Sequence, residues 1–276
     1  MITRFAPAPT GYLHLGHVAN ARLVWNEARA RNGRVLLRIE DHDRERCRPE
    51  YDAALLEDLA WLGFEWDEAA VRQSDRHHLY AEVAGELLRQ GLVYGCVCTR
   101  RMVQGSKGPR VQGSKGPRVQ GSRSSEVPYP GTCRDAGHGL SDGVGWRVRL
   151  PDDVITFDDE WCGTHTQQPS AQCGDLLIRD RRGNWTYQFV ATVDDHLQGI
   201  TNVIRGRDLL DSTGRQILLG RLIGRPAPAT FAHHELIMKS ATQKLSKSDG
   251  DTGVRDLRAA GWTRDQVLAA AVAALA

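Results

Sequence analysis

No run of about 18 apolar residues interrupts the chain, so no membrane-spanning helix is expected. The opening Met1-Ile2-Thr3-Arg4-Phe5-Ala6-Pro7 has no apolar leader, and a cytoplasmic protein without membrane contacts is expected. A surplus of charge is also missing: 36 Lys and Arg stand against 34 Asp and Glu, a net charge of +2. Bulk charge therefore does not mark a nucleic-acid binder, and any such contact must come from a local patch. In a reducing compartment the six cysteines need a reason other than a disulfide framework. What is present is 276 residues with an apolar share of 41%, enough for a real core in one large α/β domain or two smaller ones.

Residues 2–6 read as a strand that Pro7, Pro9 and Gly11 break. A helical pattern runs over residues 15–30, with Leu15, Ala19, Leu23 and Val24 on one face and Gly33 as the terminating glycine. Residues 35–39 read as a second strand. Strand, helix and strand in that order point to a βαβ unit with a parallel sheet. Helices are expected at 49–62, where Pro49 suits a first turn, and at 76–90. Later strands are expected at 146–150, 187–193, 202–204 and 231–237, a helix at 210–222, and one or two short Ala-rich helices within 254–276.

Between these lies a change of texture. Residues 103–123 read VQGSKGPR, VQGSKGPR, VQGSR, an octapeptide repeat with no core residues in any unit. Such a segment reads as a flexible loop and not as a solenoid. From Thr99 to Ser125 there are seven Lys or Arg and no acid. A solvated insertion is the plainer reading; non-specific contact with an RNA backbone is the sharper one.

Two short motifs carry chemistry. His14-Leu15-Gly16-His17 lies where a strand turns into a helix, and helix N-termini offer free N–H groups and partial positive charge to a phosphate. The two histidines add donors on that face, and Gly16 leaves room for a ring or a backbone to approach. Lys244-Leu245-Ser246-Lys247-Ser248 supplies movable positive charge of the kind phosphoryl and nucleotidyl chemistry needs. In this order, near opposite ends of the chain, the two motifs resemble those of the class I aminoacyl-tRNA synthetases.

The resemblance narrows further. Arg4-Phe5-Ala6-Pro7-Ala8-Pro9-Thr10-Gly11, Arg38-Ile39-Glu40-Asp41, Val193-Asp194-Asp195-His196 and Val203-Ile204-Arg205-Gly206 resemble the glutamyl group of that class. It implies a glutamate pocket made by Arg4, Ala6, Ala8, Glu40, Tyr187 and Arg205. Ala8 departs from the serine common at its position. The chemistry agrees: a substrate with two carboxylates and one ammonium calls for two arginines and one acid. The same resemblance implies ATP contacts from His14, Gly16, His17 and Lys247. His14, His17, Lys244 and Lys247 become the catalytic set, and Mg²⁺ accompanies ATP.

Cys96-Val97-Cys98, followed after the repeat by Tyr129-Pro130-Gly131-Thr132-Cys133, resembles the metal site of the short glutamyl-queuosine tRNA(Asp) synthetase family. That resemblance implies one structural zinc held by Cys96, Cys98, Tyr129 and Cys133, with His138 as the rival fourth ligand. Four ligands with thiolates suit zinc, and a longer spacer raises closure entropy only slowly. Cys47, Cys162 and Cys173 have no motif partners and are expected to play no metal role. Only 28 residues follow Ser248, too few for the helical anticodon-binding region of a full glutamyl-tRNA synthetase.

The expected fold is therefore α/β. It is a Rossmann-like parallel sheet of the class I synthetase type with a zinc-bearing insertion and a short helical C-terminal region. The halves of the catalytic domain are expected at 1–95 and 181–240, the insertion at 96–180, and the lysine loop with its tail at 241–276. The resemblance implies activation of L-glutamate by ATP and its transfer to queuosine in tRNA(Asp), by a monomer. Two other readings remain open. One is a minimal glutamyl-tRNA synthetase charging a tRNA 3′ end; the other is a non-catalytic paralogue that binds RNA.

Overall fold

The computed structural model describes residues 1–43, 45–105, 127–236, 238–240, 243–244 and 253–273. The octapeptide repeat from residue 106 onward and residues 245–252, with most of the lysine motif, lie outside the described residues.

The chain begins with β1 (Ile2–Phe5), which runs into the two prolines. α1 (Leu15–Ala30) follows and buries Val18, Ala19, Ala21, Val24, Trp25 and Ala28. β2 (Arg34–Ile39) then lies parallel to β1, with Ile2 opposite Arg34 and Phe5 opposite Leu37. This is the βαβ unit that the pattern predicts. The end of α1 differs from expectation in detail. The left-handed residue is Asn32, at φ 49°. Gly33 serves a close approach instead, since a Cβ there would sit 2.9 Å from Met1.

α2 (Pro49–Trp61) starts on its proline. A short strand β3 (Val71–Arg72) extends the parallel sheet beyond β2. α3 (His77–Arg89) follows. β4 (Val93–Cys96), β5 (Gly145–Val148) and β8 (Leu176–Arg179) make an antiparallel sheet of their own in the order β4-β5-β8, and α4 (Arg100–Gly105) follows β4. Between β5 and β8 the chain forms β6 (Ile155–Asp159), β7 (Gly163–Gln167) and α5 (Pro169–Cys173).

The segment expected as a strand at 187–193 is a helix, α6 (Tyr187–Leu197). Its run Phe189-Val190-Ala191-Thr192-Val193 is apolar and β-branched enough to read as a buried strand. Short apolar runs cannot be told apart by periodicity when nearly every position is buried, and here Phe189 through Asp195 all are. β9 (Asn202–Gly206) leads into a 3₁₀ turn over Arg207–Ser212 and then α7 (Thr213–Leu222), so the helix expected from 210 begins three residues later. β10 (Thr230–His234) pairs in parallel with β9 along its length and with β6 at Phe231–Asp159. A hairpin of β11 (Met238–Ser240) and β12 (Gln243–Lys244) follows. The described chain closes with α8 (Val254–Ala259) and α9 (Arg264–Ala273), two short helices as expected.

β9 lies beside β1. The Thr201 N–H donates to Ile2 O at 2.9 Å, and Arg4 Nη1 donates to Ile204 O at 3.4 Å. Side chains then alternate between two cores. Leu36, Val203 and Phe231 pack with α3, α6 and α7 on one face. Val35, Leu37, Ile204 and Ala232 pack with α1, α2, α8 and α9 on the other. Strands buried on both faces are what a parallel sheet covered by helices requires. No helix among the described residues is long and apolar enough to cross a membrane.

Candidate active site and cysteine cluster

The site forms where β1, β2 and β9 end. After Phe5 the chain is held open by backbone contacts: Glu40 N–H donates to Pro7 O at 3.0 Å and Arg48 N–H to Pro9 O at 3.2 Å. These fix the loop carrying Ala6 and Ala8 against the end of β2.

His14 caps α1. Its Nδ1 accepts the Gly16 N–H at 3.1 Å, while its own N–H donates to His17 Nδ1 at 3.2 Å. The two rings lie 3.8 Å apart. The capping arrangement satisfies two of the N–H groups a helix start leaves open and sets both imidazoles at its positive end. His14 also bridges to Gly253, and Val254 N–H donates to Leu13 O at 2.8 Å. Both arms of the chain flanking the lysine motif are thereby placed: β12 holds the backbone of Lys244, opposite Met238, and Gly253 lies against His14. Lys247 lies outside the described residues.

The charged side chains expected for a glutamate pocket are brought together. Arg4 is buried, and its Nε donates to Asp195 Oδ1 at 3.1 Å. Arg38 Nη1 donates to the same oxygen at 2.8 Å, and Arg38 Nη2 stands 3.6 Å from Glu40 Oε1. Burial pushes the Glu40 carboxyl up to about 7, against the pull of Arg38 and Arg4. Tyr187, at the first turn of α6, is half-buried; burial first, then the charge of Glu40, pushes its phenol up, while Arg205 and Arg4 oppose the shift.

Arg205 differs from Arg4. It is buried, and its bonds go to neutral groups: His233 Nε2 at 2.9 Å, Gln216 Oε1 at 2.6 Å, Thr213 Oγ1 at 2.9 Å and Leu209 O at 3.4 Å. No carboxylate among the described residues lies within ion-pair distance of it, and burial lowers its pKa. A buried guanidinium surrounded by neutral acceptors keeps its charge for an incoming anion.

Several residues of the site went unassigned in the sequence. Asp195 and Asp194 stand in a motif that resembles the family, and the sequence alone assigns them no role. Asp195 holds Arg4 and Arg38. Asp194 accepts from Gln73 Nε2, Arg76 Nε and Tyr80 Oη at 2.7–2.8 Å. Gln216, Thr213, His233 and Asp159 carry no local signal, because each joins the site only through neighbouring strands and helices.

The cysteines form a second cluster at the end of β4. Cys96, Cys98 and Cys133 place their sulfurs within 4.8 Å of one another, and Cys98 Sγ is 3.5 Å from Cys133 Sγ. Tyr129 Oη lies 3.5 Å from Cys96 Sγ and 4.0 Å from Cys98 Sγ, and accepts the Cys133 N–H at 2.7 Å. Tetrahedral zinc–thiolate bonds of about 2.3 Å would set sulfurs about 3.8 Å apart, so this donor set fits that ion. His138 is exposed and outside the group. Burial opposes ionisation of Cys133, but hydrogen bonds from the Val97 backbone and from Tyr129 hold its thiol at about 7. The Arg147 guanidinium covers the Tyr129 ring at 3.7 Å and donates to Cys96 Sγ at 3.4 Å. None of the six cysteines is joined in a disulfide.

A parallel sheet split by an antiparallel excursion, with a histidine-capped first helix and a lysine hairpin near its C-terminal edge, is the plan of a class I tRNA synthetase catalytic domain. The family model described as "tRNA synthetases class I (E and Q), catalytic domain" matches residues 1–273. The chain is 43% identical over 250 residues to a glutamyl-Q tRNA(Asp) synthetase of Cupriavidus metallidurans, covering 90% of this chain and 77% of that protein. It is 39% identical to the one of Rhodobacter capsulatus, covering 95% and 96%. A solved glutamate tRNA ligase from Elizabethkingia meningosepticum, in complex with its amino acid, superposes with a TM-score of 0.72 at 28% identity. The match takes in 91% of this chain and 52% of that one, so the chain spans about half the solved ligase. The chain belongs to the glutamyl-Q tRNA(Asp) synthetase family within that class.

Proposed function

We propose that the chain joins glutamate to ATP and passes the glutamyl group to queuosine in tRNA(Asp). The observation that carries the first half is a buried Arg205 without a carboxylate partner among the described residues and a buried Glu40, both close enough to Tyr187 to act on its phenol, together with a histidine-capped helix start. That set offers a cation to a carboxylate, an acid to an ammonium, and imidazole rings at the positive end of a helix to a phosphate chain. The second half rests on the names borne by relatives that match nearly the whole chain.

In the proposed reaction the substrate α-carboxylate attacks the α-phosphorus of ATP in line. The bond to pyrophosphate breaks and pyrophosphate leaves; Mg²⁺, when bound with ATP, would neutralise part of its charge. A hydroxyl of the queuosine cyclopentenediol then attacks the activated carbonyl; an ester forms, AMP leaves, and the hydroxyl proton is lost. No side chain has to become a nucleophile. The work is positioning and charge stabilisation: Arg205 and Arg4 for carboxylates, Glu40 for the ammonium, Tyr187, Ala6 and Ala8 as pocket walls. His14, Gly16 and His17 meet the phosphates, and Lys247 with Lys244 steadies the leaving pyrophosphate.

Cys96, Cys98, Tyr129 and Cys133 would hold one zinc, which when bound cross-links the ends of the antiparallel excursion and takes no part in the reaction. The insertion then runs over 96–180, between catalytic halves at 1–95 and 181–240.

Pyrophosphate exchange with glutamate and ATP, without tRNA, tests activation. Transfer of labelled glutamate to tRNA(Asp) with and without queuosine tests the acceptor. Exchange without tRNA and labelling only of queuosine-bearing tRNA are expected. Labelling of unmodified tRNA would transfer the reading to a minimal glutamyl-tRNA synthetase.

A further inference from the structure

Asp159, His233 and Arg205 form a buried line across three neighbouring strands. β6, β10 and β9 run side by side, and His233 stands directly opposite Arg205 in the β10–β9 register. His233 Nδ1 is 2.5 Å from Asp159 Oδ2, and Arg205 Nε donates to His233 Nε2 at 2.9 Å. Asp159 is itself pinned: its Oδ1 accepts the backbone N–H groups of Trp161 at 3.1 Å, Cys162 at 2.9 Å and His233 at 3.1 Å. All three side chains are buried.

A guanidinium donates and cannot accept. His233 Nε2 must therefore offer a lone pair, which places the ring proton on Nδ1, toward Asp159. The imidazole is neutral in this arrangement. Burial, with Arg205 close by, lowers its pKa in spite of Asp159. The carboxylate sets the tautomer, as in other His–carboxylate pairs.

The contact has a geometric consequence for Arg205. An arginine can grip a carboxylate along its Nε–Nη edge or along its Nη–Nη edge. With Nε committed to His233, only the Nη nitrogens are left to a ligand. Nη1 donates to Gln216 at 2.6 Å, and Nη2 to Thr213 at 2.9 Å and Leu209 O at 3.4 Å; all three acceptors are neutral, so an incoming carboxylate replaces them with a charge-assisted contact.

We propose that His233 is a positioning residue that, held in one tautomer by Asp159, orients Arg205 so that it receives the substrate carboxylate through its Nη edge. The proposal rests on the reading of Arg205 as a substrate contact, and the experiment separates the two. Pyrophosphate exchange is measured on the full chain for Arg205→Met, His233→Met, His233→Gln and Asp159→Asn. Methionine at 233 fills similar space without accepting; glutamine restores an acceptor.

Arg205→Met is expected to raise KM for glutamate at least about 100-fold, as loss of a charge-assisted contact to a carboxylate should. His233→Met is expected to raise it about tenfold, with kcat and KM for ATP within about twofold, and His233→Gln to recover most of the loss. Asp159→Asn, which frees the tautomer, is expected to fall between them. If Arg205→Met raises KM for glutamate and His233→Met does not, the positioning role is overturned while Arg205 stands. Equal damage to kcat and to KM for ATP, unrescued by glutamine, also overturns it. An unchanged KM in Arg205→Met removes both readings. Should His233→Met fail to fold, an unchanged KM for glutamate in Asp159→Asn decides against the proposal.

Discussion

Glu40 is where burial changes chemistry most plainly. A carboxyl with an ordinary pKa would be ionised throughout the neutral range; this one is pushed up to about 7 by burial. An ammonium is bound by the carboxylate and not by the neutral acid. Below about pH 7 the free protein must therefore give up a proton from Glu40 on binding the substrate amine. KM for glutamate is expected to rise as pH falls from about 7 toward 5, by up to about tenfold per unit. Glu40→Gln is expected to raise KM and flatten that dependence. The same pH profile in wild type and variant would take Glu40 out of the pocket. Lys247→Ala is expected to lower the exchange rate by about 100-fold or more without changing the melting temperature, because a cation on the leaving pyrophosphate acts mainly in the transition state. An unaltered rate would remove it from the mechanism.

Among the elements, α6 does more than its sequence pattern indicates. Read as a strand, Tyr187–Val193 would point alternate side chains away from the site. As a helix it sets Tyr187 at its first turn and Asp194 and Asp195 at its far end. From there Asp194 reaches Tyr80 of α3 at 2.8 Å and Arg76 at 2.7 Å, and Asp195 reaches Arg38 of β2 at 2.8 Å. Asp194 is fully buried and receives three hydrogen bonds. Removing it would leave Arg76 and Tyr80 short of an acceptor and Arg38 without one of its anions. Asp194→Ala is expected to cost about 3–5 kcal/mol of stability in a denaturant titration. A loss under about 1 kcal/mol would mean that solvent reaches and replaces these bonds. The helix was hard to read for a physical reason. Its run over residues 189–193 is apolar and β-branched, and the ionisable residues Asp194, Asp195 and His196 come only in the last turn, so residues 187–193 by themselves read equally as a strand.

For the whole molecule, the cysteine cluster is the natural point of attack. Cys96 ends β4, whereas Tyr129 and Cys133 come after the octapeptide segment, so a bound ion closes a long loop. Metal analysis is expected to give about one zinc per chain. Chelation is expected to lower the melting temperature and to increase hydrogen exchange in β4 and β5 before β1 and β2. A metal-free protein with an unchanged melting curve would refute the site. Cys47, Cys162 and Cys173, which lie apart from the cluster, are expected to be replaceable by serine or alanine without loss of zinc.

The sequence by itself determined what depends on neighbours along the chain. The strand, helix and strand of the first 39 residues follow from hydrophobic spacing and breakers. His14 caps α1 because a polar residue stands where the helix must begin. Cys96, Cys98, Tyr129 and Cys133 stand out in the sequence through resemblance to a family's metal-site motif, and the fold brings their sulfur and oxygen atoms together. Only the tertiary structure decided how charged groups behave. Glu40 sits near 7, Arg4 is shared with Asp195, and Arg205 meets only neutral acceptors, because each of those states depends on desolvation and on partners many residues away. His233 and Asp159 stand 74 residues apart and meet only because β6 and β10 pair. Spacing in a chain records which residues can share a turn; electrostatics in a folded core depends on which residues share a volume.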